Sequence, residues 1–409
     1  MGTLYRYELM KLLRRKPVWL AAAVCLPFLV YAAASGLMGN YFGGGDSLGE
    51  CYRIFREEKK YRQELDGRLI DQALLEEMCA AYGKLADVAR WEPPSGFRDR
   101  YMAYLVPYGE ILELVMEWTG RDLKSLAYWE PDEGRLYAAR RQMLEWHWER
   151  QRLTDAQKKF WLGKEAELSV PMRYVCHDSY YIRIALLPMA GICTLLMVSV
   201  CLSGGFAQER VRRTDQVTLA CARGRTTVYW ARLLAGITAS LLWALLAAVS
   251  VLVSTRLIYG AGGASAPIQF IFPHYSYPMT MGQACAVLYG ILILASVFEG
   301  VFVMLLSELT GSGTATLAGS VGIPLLLAFI TMLYERTGYV PQLWLYMPMA
   351  VPWHEAVFDV RLAGMSGHFF ASWQVIPAVH VLYTVLAAVA GRLAYARHQL
   401  RGRWTPWLQ

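Results

Sequence analysis

A Gly-rich loop ending in Lys, the kind that cradles nucleotide phosphates, occurs nowhere in the 409 residues, so ATP is not expected to bind this chain in that manner. The nearest approach, Glu308-Leu309-Thr310-Gly311-Ser312-Gly313-Thr314, has no Lys after it and no strand before it, and reads as a tight polar turn. His354-Glu355 lacks the second His that a zinc-protease helix requires. Cysteine is scarce, eight in all, and no spacing suggests a metal site. Cys51, Cys79 and Cys176 fall in a polar stretch, 40–181, where an odd number permits one disulfide at most. Cys25, Cys193, Cys201 and Cys285 lie in apolar runs and Cys221 in a charged loop, so packing roles are expected for cysteine. No alternating strand pattern of any length appears in 40–181, and no catalytic constellation appears anywhere, which argues against an enzyme.

Apolar residues, by contrast, make up 56% of the chain, and the mean hydropathy is positive. That is too apolar for an ordinary soluble protein, yet 40–181 is plainly polar, so the composition points to a membrane protein with an inserted domain. A span needs about 20 apolar residues to cross a hydrocarbon core of roughly 30 Å. Six runs qualify: Val18 to Gly36, Ile182 to Phe206, Val228 to Thr255, Met281 to Leu306, Ala315 to Tyr334, and Val375 to Ala396. An even number puts both chain ends on one side. The first run, with its basic start and Ala32-Ala33-Ala34-Ser35-Gly36, also has the look of a cleavable signal peptide, but it is read here as a retained span.

Charge orients these spans. Arg6, Lys11, Arg14, Arg15 and Lys16 precede the first run; Arg210, Arg212, Arg213, Arg223, Arg225 and Arg232 lie around the loop after the second; Arg392, Arg397, Arg401 and Arg403 lie at the end. The shorter loops assigned to the other side hold Arg256, Arg336 and Arg361, and this asymmetry predicts that both termini are cytoplasmic. The net charge of +7 divides into −4 over 40–181 and +11 elsewhere, so the basic excess sits at the inner face, where anionic lipid or an acidic protein surface is a better counter-charge than nucleic acid.

Within 40–181, Gly43-Gly44-Gly45 is a flexible lead-in, and Leu65, Leu69, Leu75, Met78, Tyr82, Leu85 and Ala89 recur at near-heptad spacing, predicting one long helix stopped by Pro93-Pro94-Ser95-Gly96. Further helices are predicted near Tyr108 to Trp118 and Asp132 to Leu153, with Thr154-Asp155 capping another through Leu168. The domain is therefore expected to be all-α. Its tryptophans, Trp91, Trp118, Trp129, Trp146, Trp148 and Trp161, suit core packing or bilayer contact better than a surface holding a hydrophobic ligand.

The most informative stretch is Phe206-Ala207-Gln208-Glu209-Arg210-Val211-Arg212-Arg213-Thr214-Asp215, running through Leu219 to Ala222-Arg223-Gly224-Arg225-Thr226. It is charged, lies between two long apolar runs, and cannot sit in hydrocarbon. A short surface helix with a mixed charged and apolar face fits it, and a merely topogenic basic loop is the plain alternative. The order of a span ending in Phe, a Glu with basic residues after it, an acidic position, a few apolar residues and a basic turn resembles the intracellular coupling loop of type 2 ABC exporter permeases. Two other segments extend the resemblance. Thr3 to Lys16, amphipathic with a basic side and followed by Pro17, is similar to the connecting helix before the first span of that family. Glu335 to Gln374, too broken to span and too apolar for a solvated loop, is similar to its paired outer helices. The large inserted domain departs from the simplest members.

The resemblance implies an all-α polytopic membrane protein: a cytoplasmic connecting helix (1–17), a first transmembrane helix (18–39), a helical extracellular domain (40–181), a five-helix region (182–396) with coupling loop 207–227 and broken outer loop 335–374, and a cytoplasmic tail (397–409). It implies a permease subunit in the cell membrane, working as a homodimer or heterodimer, that exports a hydrophobic or amphipathic substrate such as a lipid, peptide or antibiotic. ATP and Mg would reside on separate ATPase subunits. Contacts with those subunits would fall to Glu209, Arg210, Arg212, Arg213, Asp215, Arg223 and Arg225, and to Arg6, Lys11, Arg14 and Arg15 of the connecting helix. Glu299, an intramembrane carboxylate, is a candidate for the transport path or a hydrogen bond between helices; His380 invites the same reading. The long side chains of Arg232 and Arg256, at opposite ends of the third run, are expected to reach the interfaces by snorkelling. A membrane sensor or accessory subunit with a ligand-binding outer domain is the competing class.

Overall fold

The computed structural model describes residues 2–37, 47–86, 104–122, 129–221, 224, 226–333, 346–348, 354–365 and 368–397. The chain is predominantly helical, and five helical segments among the described residues are long and apolar enough to cross a membrane. These are α2 (Lys16–Ser35), the continuous stretch Leu187–Arg212, α12 (Thr227–Tyr259), α13 (Met281–Thr310) and α16 (Ser372–Ala396). A sixth apolar helix, α14 (Gly313–Leu333), covers the fifth predicted run and carries Pro324 inside it.

Helix α13 is the hub, touching α9 (Leu187–Leu202), α12, α14 and α16. Small residues let α12 and α13 approach closely. A Cβ on Gly300 would sit 2.0 Å from the Ser240 hydroxyl oxygen, and one on Gly236 would sit 2.2 Å from the Met304 sulfur. Without a water-driven force between apolar helices, such close backbone approach is what holds a membrane bundle together. Trp243 is fully buried on the same helix and meets Trp19 of α2 edge-on at 5.8 Å.

One end of the bundle carries α1 (Gly2–Leu13), laid against α12, with the Trp19 indole donating to the Leu13 carbonyl at 2.8 Å where the chain turns into α2. The opposite end carries the polar domain, built from α3 (Leu48–Gln63), α4 (Gln72–Ala86), α5 (Gly109–Thr119), α6 (Glu133–Arg150) and α7 (Asp155–Glu165), joined to α9 through α8 (Asp178–Ala185). Asp132 caps α6, and Thr154 with Gln157 forms a capping box at α7, so the predicted starts of these two helices hold. The single long helix predicted from Leu65 does not form. The chain turns over 64–71, the Asp71 carboxylate accepts from the Leu74 amide at 3.0 Å, and a new helix begins at Gln72, leaving Leu69 exposed. A local N-cap has overridden the heptad pattern.

Trp118, Trp148 and Trp161 are buried, while Trp146 is exposed; Trp91 lies outside the described residues. The Trp161 indole donates to the Val360 carbonyl at 2.7 Å, fastening the polar domain to the segment before α16. That segment holds a short helix, α15 (His354–Val357), and a hairpin of β1 (Ala363–Met365) and β2 (His368–Phe370), so a small β element stands in the loop predicted to be helical. All eight cysteines are free thiols, and Cys176 donates to Asp178 at 3.3 Å.

Candidate functional site: the charged elbow after α9

The charged stretch folds into two short helices, α10 (Ala207–Arg212) and α11 (Asp215–Ala220). The start of α10 is held by a neighbouring helix. Ser307 of α13 accepts from the amides of Phe206 and Ala207 at 3.1 and 3.0 Å and donates to the Ser203 carbonyl at 3.0 Å, so two of the orphan donors at the helix N-terminus are satisfied from outside. The end of α10 is a Schellman motif: the Thr214 amide donates to the Glu209 carbonyl and the Arg213 amide to the Arg210 carbonyl. Arg213 occupies the left-handed position of that motif, φ 59°, where glycine is usual. A side chain there costs roughly 1 kcal/mol, and the result is a cation at the apex of the elbow.

Behind the elbow lies a network of ion pairs. Arg232 of α12 places Nε 3.2 Å from Glu8 and Nη2 2.5 Å from Glu209. Lys11 of α1 donates to the same Glu209 oxygen at 2.9 Å and lies 3.6 Å from Glu8. The Arg232 side chain is 5% exposed and Glu209 13%, and the guanidinium lies over the Phe206 ring at 5.4 Å. Arg210 pairs with Glu308 at the end of α13. Arg15 donates to the Cys201 carbonyl at 2.7 Å and packs against Gly204. Charges this close, largely out of water and mutually compensated, form a rigid brace rather than a solvated face.

The predicted contact residues therefore divide. Glu209, Arg210, Lys11 and Arg15 face inward and tie α1, α9, α10, α12 and α13 together. Arg212, Arg213, Arg6 and Arg14 are exposed, and Asp215 is half-buried at the start of α11. Arg223 and Arg225 lie outside the described residues. The Arg232 head does not end in solvent: it is buried between the carboxylates of Glu8 and Glu209, whereas Arg256 is exposed. Its partner could have been suspected: Glu8 falls on the stripe of Leu4 and Leu12, four residues from each, so an acid interrupts the apolar side of α1. Ser307 gave no such signal.

Outward, the elbow shows Val211 and Val217, 75% and 71% exposed, flanked by Arg212 and Arg213, with Leu219 buried beneath as an anchor. Elsewhere, Glu299 is buried on α13 and accepts from Ser199 of α9 at 3.4 Å, a contact between helices, and His380 is buried on α16. Among the described residues no group of His, Cys, Asp and Glu suits a metal ion. Comparison with protein-family models found no match, and comparison with curated proteins found none either.

Proposed function

We propose that this chain is the membrane-spanning subunit of an ATP-driven exporter, and that the elbow of α10 and α11 is the surface on which a separate cytoplasmic ATPase docks. The observation that carries this reading is the contrast between the two sides of the elbow. Its outer side offers two exposed valines and two exposed arginines, and its inner side is fastened by ion pairs to α1, α12 and α13. A surface that only had to keep basic residues on one side of a bilayer would not need such bracing. A surface that transmits displacement does, since a docked partner can bias a conformational equilibrium only through contacts that differ between two states of a connected body.

In this reading α14 is a sixth span, both termini are cytoplasmic, the polar domain is extracellular, and two permease chains enclose the path of a hydrophobic or amphipathic substrate. ATP and Mg bind the partner ATPases. Closure of those subunits moves the elbow, and the brace passes the motion to α1, α12 and α13 together.

Purification of the chain with its co-expressed neighbours tests the proposal. An ATPase subunit is expected to co-purify, and its hydrolysis to be stimulated by the permease. The double variant R212E/R213E should lower that stimulation at least tenfold while the chain still inserts. Undiminished stimulation, or a complex with no ATPase in it, would refute the docking assignment.

A further inference from the structure

A cavity of about 450 Å³ opens where the apolar bundle meets the polar domain, within the range of small-molecule sites. Its floor is made by the bundle: Gly36 at the end of α2, Ile182 of α8 and Tyr259 at the end of α12, whose hydroxyl donates to the Ala33 carbonyl at 2.8 Å. Its walls come from the polar domain, from α8 and from the segment between α12 and α13. Phe55 meets Tyr259 edge-on at 5.1 Å, Phe270 closes the far side, and Tyr181 stands exposed at the mouth.

The charges along the walls do not balance. Arg62 is the guanidinium of the site, 2.7 Å from Asp178 and 3.4 Å from Glu110. Glu110 also accepts from the Tyr174 hydroxyl at 2.8 Å and lies 3.3 Å from the His177 ring. That network engages the two terminal nitrogens of Arg62, Nη2 lying 3.9 Å from Glu58, while its Nε has no hydrogen-bond partner among the described residues. Glu113, one turn further along α5, is exposed on the cavity wall and has no hydrogen bond or ion pair with a described residue. Glu113 therefore faces an aromatic-walled space with no direct ion pair, Arg62 and His177 acting on it only from a distance, and the cavity's three carboxylates, Glu110, Glu113 and Asp178, outnumber its one guanidinium.

We propose that this cavity binds an amphiphile with a cationic head, an amine or a guanidinium, with the head on Glu113 and the apolar part along Phe55, Tyr181 and Tyr259. Carboxylate and ring faces both favour a cation, and the same carboxylates repel an anion. The bundle-side floor gives the tail an apolar surface continuous with the spans. The inference is independent of the ATPase docking surface, which lies at the opposite end of the bundle, so its failure would leave that reading untouched.

Equilibrium binding of radiolabelled octylamine to the full chain in phosphatidylcholine nanodiscs tests it, with octanol and octanoate as the uncharged and anionic controls. Octylamine is expected to saturate at one per chain, E113Q to weaken it at least tenfold, and E113D to recover part of the loss. Y181A should weaken it several-fold, and unchanged thermal unfolding of E113Q would exclude misfolding as the cause. Discs containing an amino-headgroup lipid separate the sources: competition by that lipid assigns the site to a membrane amine, and its absence assigns the site to a soluble one. Octylamine uptake that never saturates and matches octanol, or binding indifferent to E113Q, would overturn the proposal.

Discussion

At the scale of single residues, one buried group and one half-buried group decide how the molecule responds to change. Arg232 neutralises Glu8 and Glu209 at once, so R232A would leave two carboxylates facing each other with only Lys11 between them. Removing one partner of a buried ion pair typically costs about 3–5 kcal/mol, and reversible unfolding in detergent micelles should show a loss of that order. R232K should lose less, because it keeps the charge but not the forked geometry. The second group is His147 of the polar domain, stacked on His274 with ring centroids 4.5 Å apart. Burial, and then the neighbouring His274 ring, hold its imidazole down at about 4. The unfolded ring takes its proton near pH ~6.5, so the unfolded state binds more protons between those values. Stability contributed by this group is present above about 6.5 and is lost as pH falls toward about 4. Thermal unfolding at pH 7.5 and pH 5 should show the loss, and H147F should show less of it; equal pH dependence in the two proteins would contradict this assignment.

At the scale of elements, packing between α12 and α13 is the tightest constraint. With Ser240 so close to Gly300, G300V must force the helices apart or off their rotamers, at a cost of about 1–3 kcal/mol or more; G300A paired with S240A should recover much of it, read out by the same micelle unfolding. How legible these elements are from sequence depends on what defines them. The long apolar runs announce α2, α9, α12, α13 and α16 because the bilayer demands length and composition alone. The starts of α6 and α7 are legible because Asp132 and Thr154 act on amides three residues away. The Leu65 helix fails because a heptad repeat cannot register Asp71 as a competing cap. The brace at the elbow is the least legible feature: Glu8 and Arg232 are 224 positions apart, and nothing local to either names the other. Ser307 likewise looks like any small polar residue near a span end, yet it caps α10 from a different helix.

At the scale of the whole molecule, the chain is a helical bundle with a charged elbow at one end and a mixed-charge, aromatic-walled cavity at the other. If the two ends lie on opposite sides of a membrane, the native cysteines report it. Cys221 is exposed at the end of α11, and Cys51 and Cys79 are half-buried in the polar domain. A membrane-impermeant maleimide added to intact cells should spare Cys221 and react with it only in inverted vesicles. Val217, exposed on the outer face and outside the ion-pair network, gives the most direct measurement. A photo-crosslinking amino acid placed there in intact membranes is predicted to capture an ATPase subunit from the cytoplasmic side, and R212E/R213E to abolish the product. Capture of lipid alone, of nothing, or of a partner from the opposite side would contradict the account.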